Sequence, residues 1–450
     1  MMKTEKQIRD LQLAIIQPHT AAIDIGSMLM MVAYSDSQGN QCLLETDGFT
    51  QSLESLAETL KSEGVKEVAM EATGVYWMSL YEVLEQKGLH VTLINPRHFK
   101  NADAQKTDVK DCQWIQQLHA HGLLRASHIA PELFRELKGY LHERNVLRNQ
   151  KSDTLNRIHR ILTLMNIKVQ HLISDMEGVT GMKLLRAIAS GKEEPEELLS
   201  LINTDRLKAG KEELLKSLKG IYKQQQVIIL KHSLEAYDFF LKQMKQYEQL
   251  IEEVLTKMLP IDETGNKPKI AKKKSHVRKN QYGINLKSYL EKITGTDITQ
   301  VDGMDEISIL EIISVTGVDM SKWRTAEHFT SWLNLCPRLK VSGGKTLGHQ
   351  KRLTNNKATQ AFRIAAQTMW KHKGALGNLY RRLAAQKGSK KAVKAIARKL
   401  AVIFYNMIKH KIPYDKSRLE QNAEKRKARR IIYLEKEAKK YGYIMQNIVA

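Results

Sequence analysis

The chain has 450 residues, room for two or three domains, and carries 72 Lys and Arg against 49 Asp and Glu, a formal charge of +23. That excess favours a polyanionic partner, above all nucleic acid, with an anionic membrane as the competitor. No apolar run spans a bilayer: the best, Leu400 to Ile408, is too short and holds Tyr405 and Asn406.

The first ten residues are charged and lack a signal-peptide core, and Cys42, Cys112 and Cys336 lie too far apart for a disulfide framework or a CxxC metal site. These features predict a soluble intracellular protein, cytoplasmic in a prokaryote, with no membrane partner. Ala21 to Tyr34 reads as one strand, DSQGN (36–40) as a turn, and Gln41 to Thr46 as the returning strand of a hairpin. Residues 50–63 predict an amphipathic helix with Leu53, Leu56 and Leu60 on one face. Glu67 to Glu71 reads as a short buried strand, Val75 to Gln86 as a helix, and Gly88 to Pro96 as a further strand. This order is that of an α/β sheet covered by helices.

Four acids stand out against that frame. Asp24 lies within a strand between Ile23 and Ile25, so it points away from them, toward a face not filled with apolar groups. Glu71 ends a central strand ahead of Gly74, and strand ends of α/β sheets are where ligands bind. Asp108 and Asp111, in KTDVKD, sit three apart at a helix start and share a face. Their mutual repulsion asks for a cation, from Lys106, Lys110 or a divalent metal. An acidic first turn favoured by the helix dipole is the other reading. Together the four could hold a pair of Mg²⁺ ions, about 4 Å apart, that clamp attacking and leaving oxygens at phosphorus.

Pro131 to Leu172 is helical, with Arg135, Arg144, Arg148, Lys151, Arg157 and Arg160 on one side of a stripe formed by Leu137, Leu141, Ile158 and Leu162. The basic side is a solvated face or a nucleic-acid surface, and the net charge favours the second. Gly178 to Gly191 reads as a short helix, and Glu193 to Leu259 as an antiparallel helical hairpin or coiled coil broken near Gly220. The lysine-rich tract 266–280 reads as a linker or polyanion-binding loop. From Ile298 two short helices around Gly303 resemble a helix-hairpin-helix that offers amides to phosphate, with Glu306 near the place of the second glycine. A helix from Trp323 to Leu335 leads to Ser342-Gly-Gly, where Arg338, Lys340, Lys345, Lys351 and Arg352 surround a serine whose backbone lets it approach a ligand closely. A phosphate-attacking serine and a Gly-rich turn touching backbone phosphate are both open. GGKT lacks the upstream glycine of a P-loop. Helices from Lys357 onward add positive charge, and 416–440 forms a charged helical tail.

The segments IDIG, MEATGVYW, INPRHFKNADAQKTDVKD and LCPRLKVSGGKTLG, taken in order, resemble the insertion-sequence one-ten family of DEDD transposases over roughly residues 18–175 and 298–412. The resemblance implies an RNase H-like (RuvC-like) α/β domain over 1–135, a helical coiled-coil middle over 136–297 with a basic linker at 262–282, a mainly α transposase domain over 298–415 and a tail over 416–450. It implies that Asp24, Glu71, Asp108 and Asp111 are metal ligands and that Ser342 is the nucleophile. Val341 precedes it where family members often have another serine. A non-coding bridge RNA pairing with donor and target DNA, assembly as dimer and tetramer, and an acidic site that completes the serine site of another subunit are implied as well. The residues by themselves leave two other functions open. One is a RuvC-type structure-specific endonuclease using water. The other is a non-catalytic nucleic-acid binder.

Overall fold

The computed structural model of the chain describes residues 14–72, 74–95, 108–203, 207–263, 265–271, 281–337, 339–349 and 356–445. The chain divides into two compact units, one ending at Ile129 and the other beginning at Ala130.

The first unit runs β1 (Thr20–Ile25), β2 (Leu29–Ser35), β3 (Gln41–Asp47), α1 (Thr50–Ser62), β4 (Glu67–Glu71), α2 (Trp77–Gln86), β5 (His90–Ile94) and α3 (Asp108–Ala120). Its five strands lie in the order β3-β2-β1-β4-β5. The first three form an antiparallel meander, and β4 and β5 join parallel to β1. A five-stranded mixed sheet of this order with helices is consistent with an RNase H-like fold. The single strand expected over 21–34 is two strands. Gly26 donates to the Leu29 carbonyl at 3.1 Å and turns the chain. A side chain at Gly26 would run into that carbonyl oxygen, so only glycine permits the reversal.

Period-two alternation sorts β1 into two faces. Ala21, Ile23 and Ile25, with Val32, Val68 and Met70, pack against Leu53, Leu56 and Leu60 of α1 and Leu80 and Leu84 of α2. The opposite face was expected to lack apolar filling. It has a small core of Ala22, Met31, Ala33, Ala69 and Ile94 beneath Cys112 and Ile115 of α3. The alanines let the helix come close.

The second unit comprises α4 (Glu132–Leu164), α5 (Val179–Ala189), α6 (Pro195–Ser200), α7 (Lys211–Leu218), α8 (Gln224–Lys257), α9 (Leu286–Thr294), α10 (Glu306–Thr316), α11 (Ala326–Trp332), β6 (Leu339–Ser342), β7 (Lys345–His349), α12 (Lys357–Thr368), α13 (Ala375–Lys387), α14 (Ser389–His410) and α15 (Ser417–Lys440). The two longest helices, α4 and α8, pack antiparallel: Leu137 and Leu141 share a core with Ile251 and Leu255, and Ile158 and Leu162 share another with Leu230 and Leu234. The partner of α8 is therefore the earlier basic helix and not a neighbour within 193–259. The first of these cores continues through α9 to α14.

Two charges of the basic helix are corrected by this packing. Arg144, expected to face nucleic acid, is 2 % exposed. Its Nε donates to Glu248 at 2.9 Å and its guanidinium lies 3.7 Å from the Tyr282 ring centroid. Lys151 is likewise buried, 2.7 Å from Glu177, whose carboxylate also accepts from the Tyr237 hydroxyl. Both stand on the stripe of Leu137, Leu141 and Ile158: Arg144 ties α4 directly to Glu248 of α8, and Lys151 ties it to Glu177 before α5, which in turn holds Tyr237 of α8. Arg148 is half-buried, and Arg157 and Arg160 are exposed. Gly303 is also reassigned. It has φ +83° and sits against the Ala365 carbonyl of α12, so that turn serves close packing instead of phosphate capture.

Loss of one member of a buried ion pair strands the other. Arg144→Ala is expected to destabilise the second unit by about 3–5 kcal/mol in urea unfolding, against within about 0.5 kcal/mol for Arg157→Ala. Glu311 of α10 provides a pH test. Burial raises its carboxyl above the ordinary 4.5, opposed by Lys357, a hydrogen bond from Asn145, and Arg148. The native state therefore holds this proton to higher pH than the unfolded chain, and stability falls as pH rises from 4.5 through the raised value. Glu311→Gln should unfold at higher denaturant than wild type at pH 8, with the advantage fading toward pH 4, roughly the ordinary glutamate range.

Candidate active site

The register of the sheet brings two of the predicted acids together. In the parallel pair β1–β4, Ile23 is opposite Met70, so the next residues, Asp24 and Glu71, stand side by side at the carboxyl ends of neighbouring strands. Adjacent strands run about 4.8 Å apart, which sets the spacing of those two backbones. Both share the face of Ala22 and Ala69, the one covered by α3. Asp24 is half-buried and Glu71 is 8 % exposed.

The third element is the start of α3, and Cys112 holds it there. Its Sγ lies 3.1 Å from the carbonyl oxygens of both Ala22 and Met31. Burial pushes the thiol up to about 12, and the Asp24 carboxylate charge adds to the rise. Cys112 is therefore a protonated anchor and not a nucleophile or metal ligand. Asp111 directly precedes it and is half-buried, and Asp108 opens the helix one turn earlier. Lys110 is exposed. The side chain of Asp108, and Lys106 altogether, lie outside the described residues.

Carboxylates are hard oxygen donors of the kind Mg²⁺ takes, and a strand-end pair beside a helix start suits a divalent cation. Among the described residues no three His, Cys, Asp or Glu side chains come together as a ligand set. The carboxylates that the described residues offer at this sheet end are Asp24, Glu71 and Asp111. Neither Cys112 nor Gly26 was singled out from the sequence. The signals were present: a glycine two residues after a strand acid, and a cysteine four residues after Asp108.

The serine stands in the second unit, where Thr359 donates to the Leu333 carbonyl at 2.7 Å and ties α12 to the end of α11. Between them projects a hairpin in which Ser342 pairs with Lys345. Gly343 and Gly344, at φ 53° and 74°, form the intervening turn, and two successive positive φ values are what a tight two-residue hairpin requires. Ser342 and Lys345 are exposed at the tip, with Val341 and Leu347 exposed below them. Lys345 is the predicted cation placed across from the hydroxyl-bearing residue. Arg338, Lys351 and Arg352 lie outside the described residues, as does the side chain of Lys340 and most of the lysine-rich tract.

No helix among the described residues is long and apolar enough to cross a membrane. A comparison with curated proteins returned no match. Two family models match the chain. Residues 21–167 match a DEDD transposase model of the IS110 group, spanning the strand acids and α3. Residues 296–381 match the transposase IS116/IS110/IS902 family, spanning the serine hairpin. The chain belongs to the IS110 family of transposases, enzymes that cut and join DNA.

Proposed function

We propose that this transposase is a Mg²⁺-dependent DNA recombinase that exchanges strands through a phosphoserine intermediate. The observation that carries the reading is the strand register that aligns Asp24 with Glu71 beneath the start of α3. Two acids on neighbouring strand ends repel each other and are costly to shield from water unless a cation compensates them. Asp24, Glu71, Asp108 and Asp111 would hold that cation, which when bound polarises a phosphodiester and neutralises its developing charge.

Ser342 is the nucleophile in this reading. Its oxygen forms a bond to phosphorus while the bond from phosphorus to a deoxyribose oxygen breaks. The serine proton leaves to solvent and the departing oxygen takes one up. Attack by the freed hydroxyl of another strand reverses the step and releases the serine, so the phosphodiester energy is kept. Lys345, opposite Ser342 in the hairpin, supplies positive charge to the phosphate. Exposed Arg157 and Arg160 and half-buried Arg148 offer further cations for nucleic-acid backbone, together with Arg338, Lys340, Lys351 and Arg352 near the hairpin. Guidance by a non-coding bridge RNA, and action as a dimer or tetramer on donor and target DNA, belong to the same reading and are supported by family membership and the basic surface.

The reading is tested by incubating the protein with its DNA ends, the non-coding RNA transcribed beside its gene and Mg²⁺, and separating covalent protein–DNA adducts on a denaturing gel. Wild type should form them, Ser342→Ala should form none, and Asp24→Asn should lower them by about 100-fold or more. Adducts from Ser342→Ala would remove the serine from its role. Strand cleavage without any adduct in wild type would point to water as the nucleophile.

A further inference from the structure

A cavity of about 650 Å³ opens between α13, α14 and α15, outside both family-matched segments along most of its outer wall. Its size is that of a ligand cleft. Arg382, Lys399, Arg426, Lys427 and Arg430 line it against a single carboxylate, Glu424. Among the described residues none of these five cations is held in an ion pair, and the nearest aromatic partner is Tyr433, whose ring lies 5.0 Å from Arg430. Uncompensated like charges around a concavity raise its potential and repel one another, which destabilises the closed arrangement unless an anion enters. The inner wall is different in kind. Half-buried Ala375 and Leu379 form it over the buried Leu376, and the stems of the long cationic side chains add apolar surface while their heads reach the rim.

We propose that this cleft holds an unpaired nucleic-acid strand, with phosphates on the rim cations and bases against the wall of Ala375 and Leu379. A duplex offers a convex row of phosphates and keeps its bases covered, so it uses the rim and leaves the apolar wall empty. An unpaired strand satisfies both surfaces. The bound strand bridges α13 and α14 to α15, which has no buried residue among those described and gains its support from that bridge. The cleft shares no lining residue with the strand acids or Ser342, and the proposal stands whether or not their chemistry is as described.

The test uses the full chain and a fluorescein-labelled mixed-sequence 20-nucleotide oligodeoxynucleotide. Fluorescence anisotropy is followed across a salt series, and hydrogen exchange of α15 is measured with and without the oligonucleotide. Replacing three rim cations in R382Q/R426Q/R430Q should reduce the log–log salt slope by about 2 and weaken binding about 100-fold at 0.1 M salt. The matching lysine variant, R382K/R426K/R430K, should keep the wild-type slope. The oligonucleotide should slow exchange along α15 in wild type and not in the glutamine variant. An unchanged slope in the glutamine variant overturns the proposal, as does a lysine variant that loses the slope equally. Equal protection of α15 by a duplex of the same sequence, or protection only by phosphatidylglycerol vesicles, overturns it as well.

Discussion

Like charges on adjacent backbone positions at the end of a sheet are the constraint around which the first unit is arranged. Asp24 and Glu71 stand one strand spacing apart, and two carboxylates so placed repel each other unless positive charge or hydrogen-bond donors meet them. The surrounding structure holds them there. Gly26 reverses the chain two residues after Asp24, so the strand ends at Ile25, one residue past the acid. Ala22, Ala33 and Ala69 keep the same face shallow, which lets α3 lie close enough for Cys112 to reach two strand carbonyls. The helix start, and the two aspartates on it, are placed by a buried thiol that itself cannot ionise near neutral pH.

The second unit solves a different problem. A pair of helices more than thirty residues long can slide by a turn without losing much apolar contact. Arg144 with Glu248 of α8 removes that freedom, because a slipped register leaves charges buried and unpartnered, and Lys151 acts through Glu177, which also accepts from Tyr237 of α8. The Tyr282 ring under the Arg144 guanidinium extends the fastening to the segment before α9. The aromatic group of Trp323, Phe329, Phe362 and Phe404 then joins α11, α12 and α14, the first two of which flank the serine hairpin in the chain. Exposure at the tip suits a group that must meet a large substrate.

Much of the first unit was legible from local pattern. The leucines of α1, the extent of β4 and the side of β1 that bears Asp24 all follow from periodicity, because each depends on neighbours in sequence. The break at Gly26 was not, since Met28 to Tyr34 continues the apolar run and a one-glycine reversal leaves the composition of a single strand. Arg144 was misplaced for a related reason. Its neighbours on the helix are basic, and the acid that neutralises it is 104 residues away. A sharper signal did exist: Arg144 and Lys151 fall seven apart on the apolar stripe, where an unpaired charge would not be tolerated. The serine hairpin was half legible. Two glycines between Ser342 and Lys345 mark a tight turn, but the strand pairing that puts the lysine across from the serine needs the fold.

The central claim, that the acids at the sheet end form one cation site, is tested most directly by titrating the full chain with Mn²⁺ and following the free ion by electron paramagnetic resonance. Saturable binding in wild type that is lost on Glu71→Gln, and equally on Asp111→Asn, is the predicted result. Binding that survives unchanged in the doubly substituted Asp24→Asn, Glu71→Gln protein would contradict it.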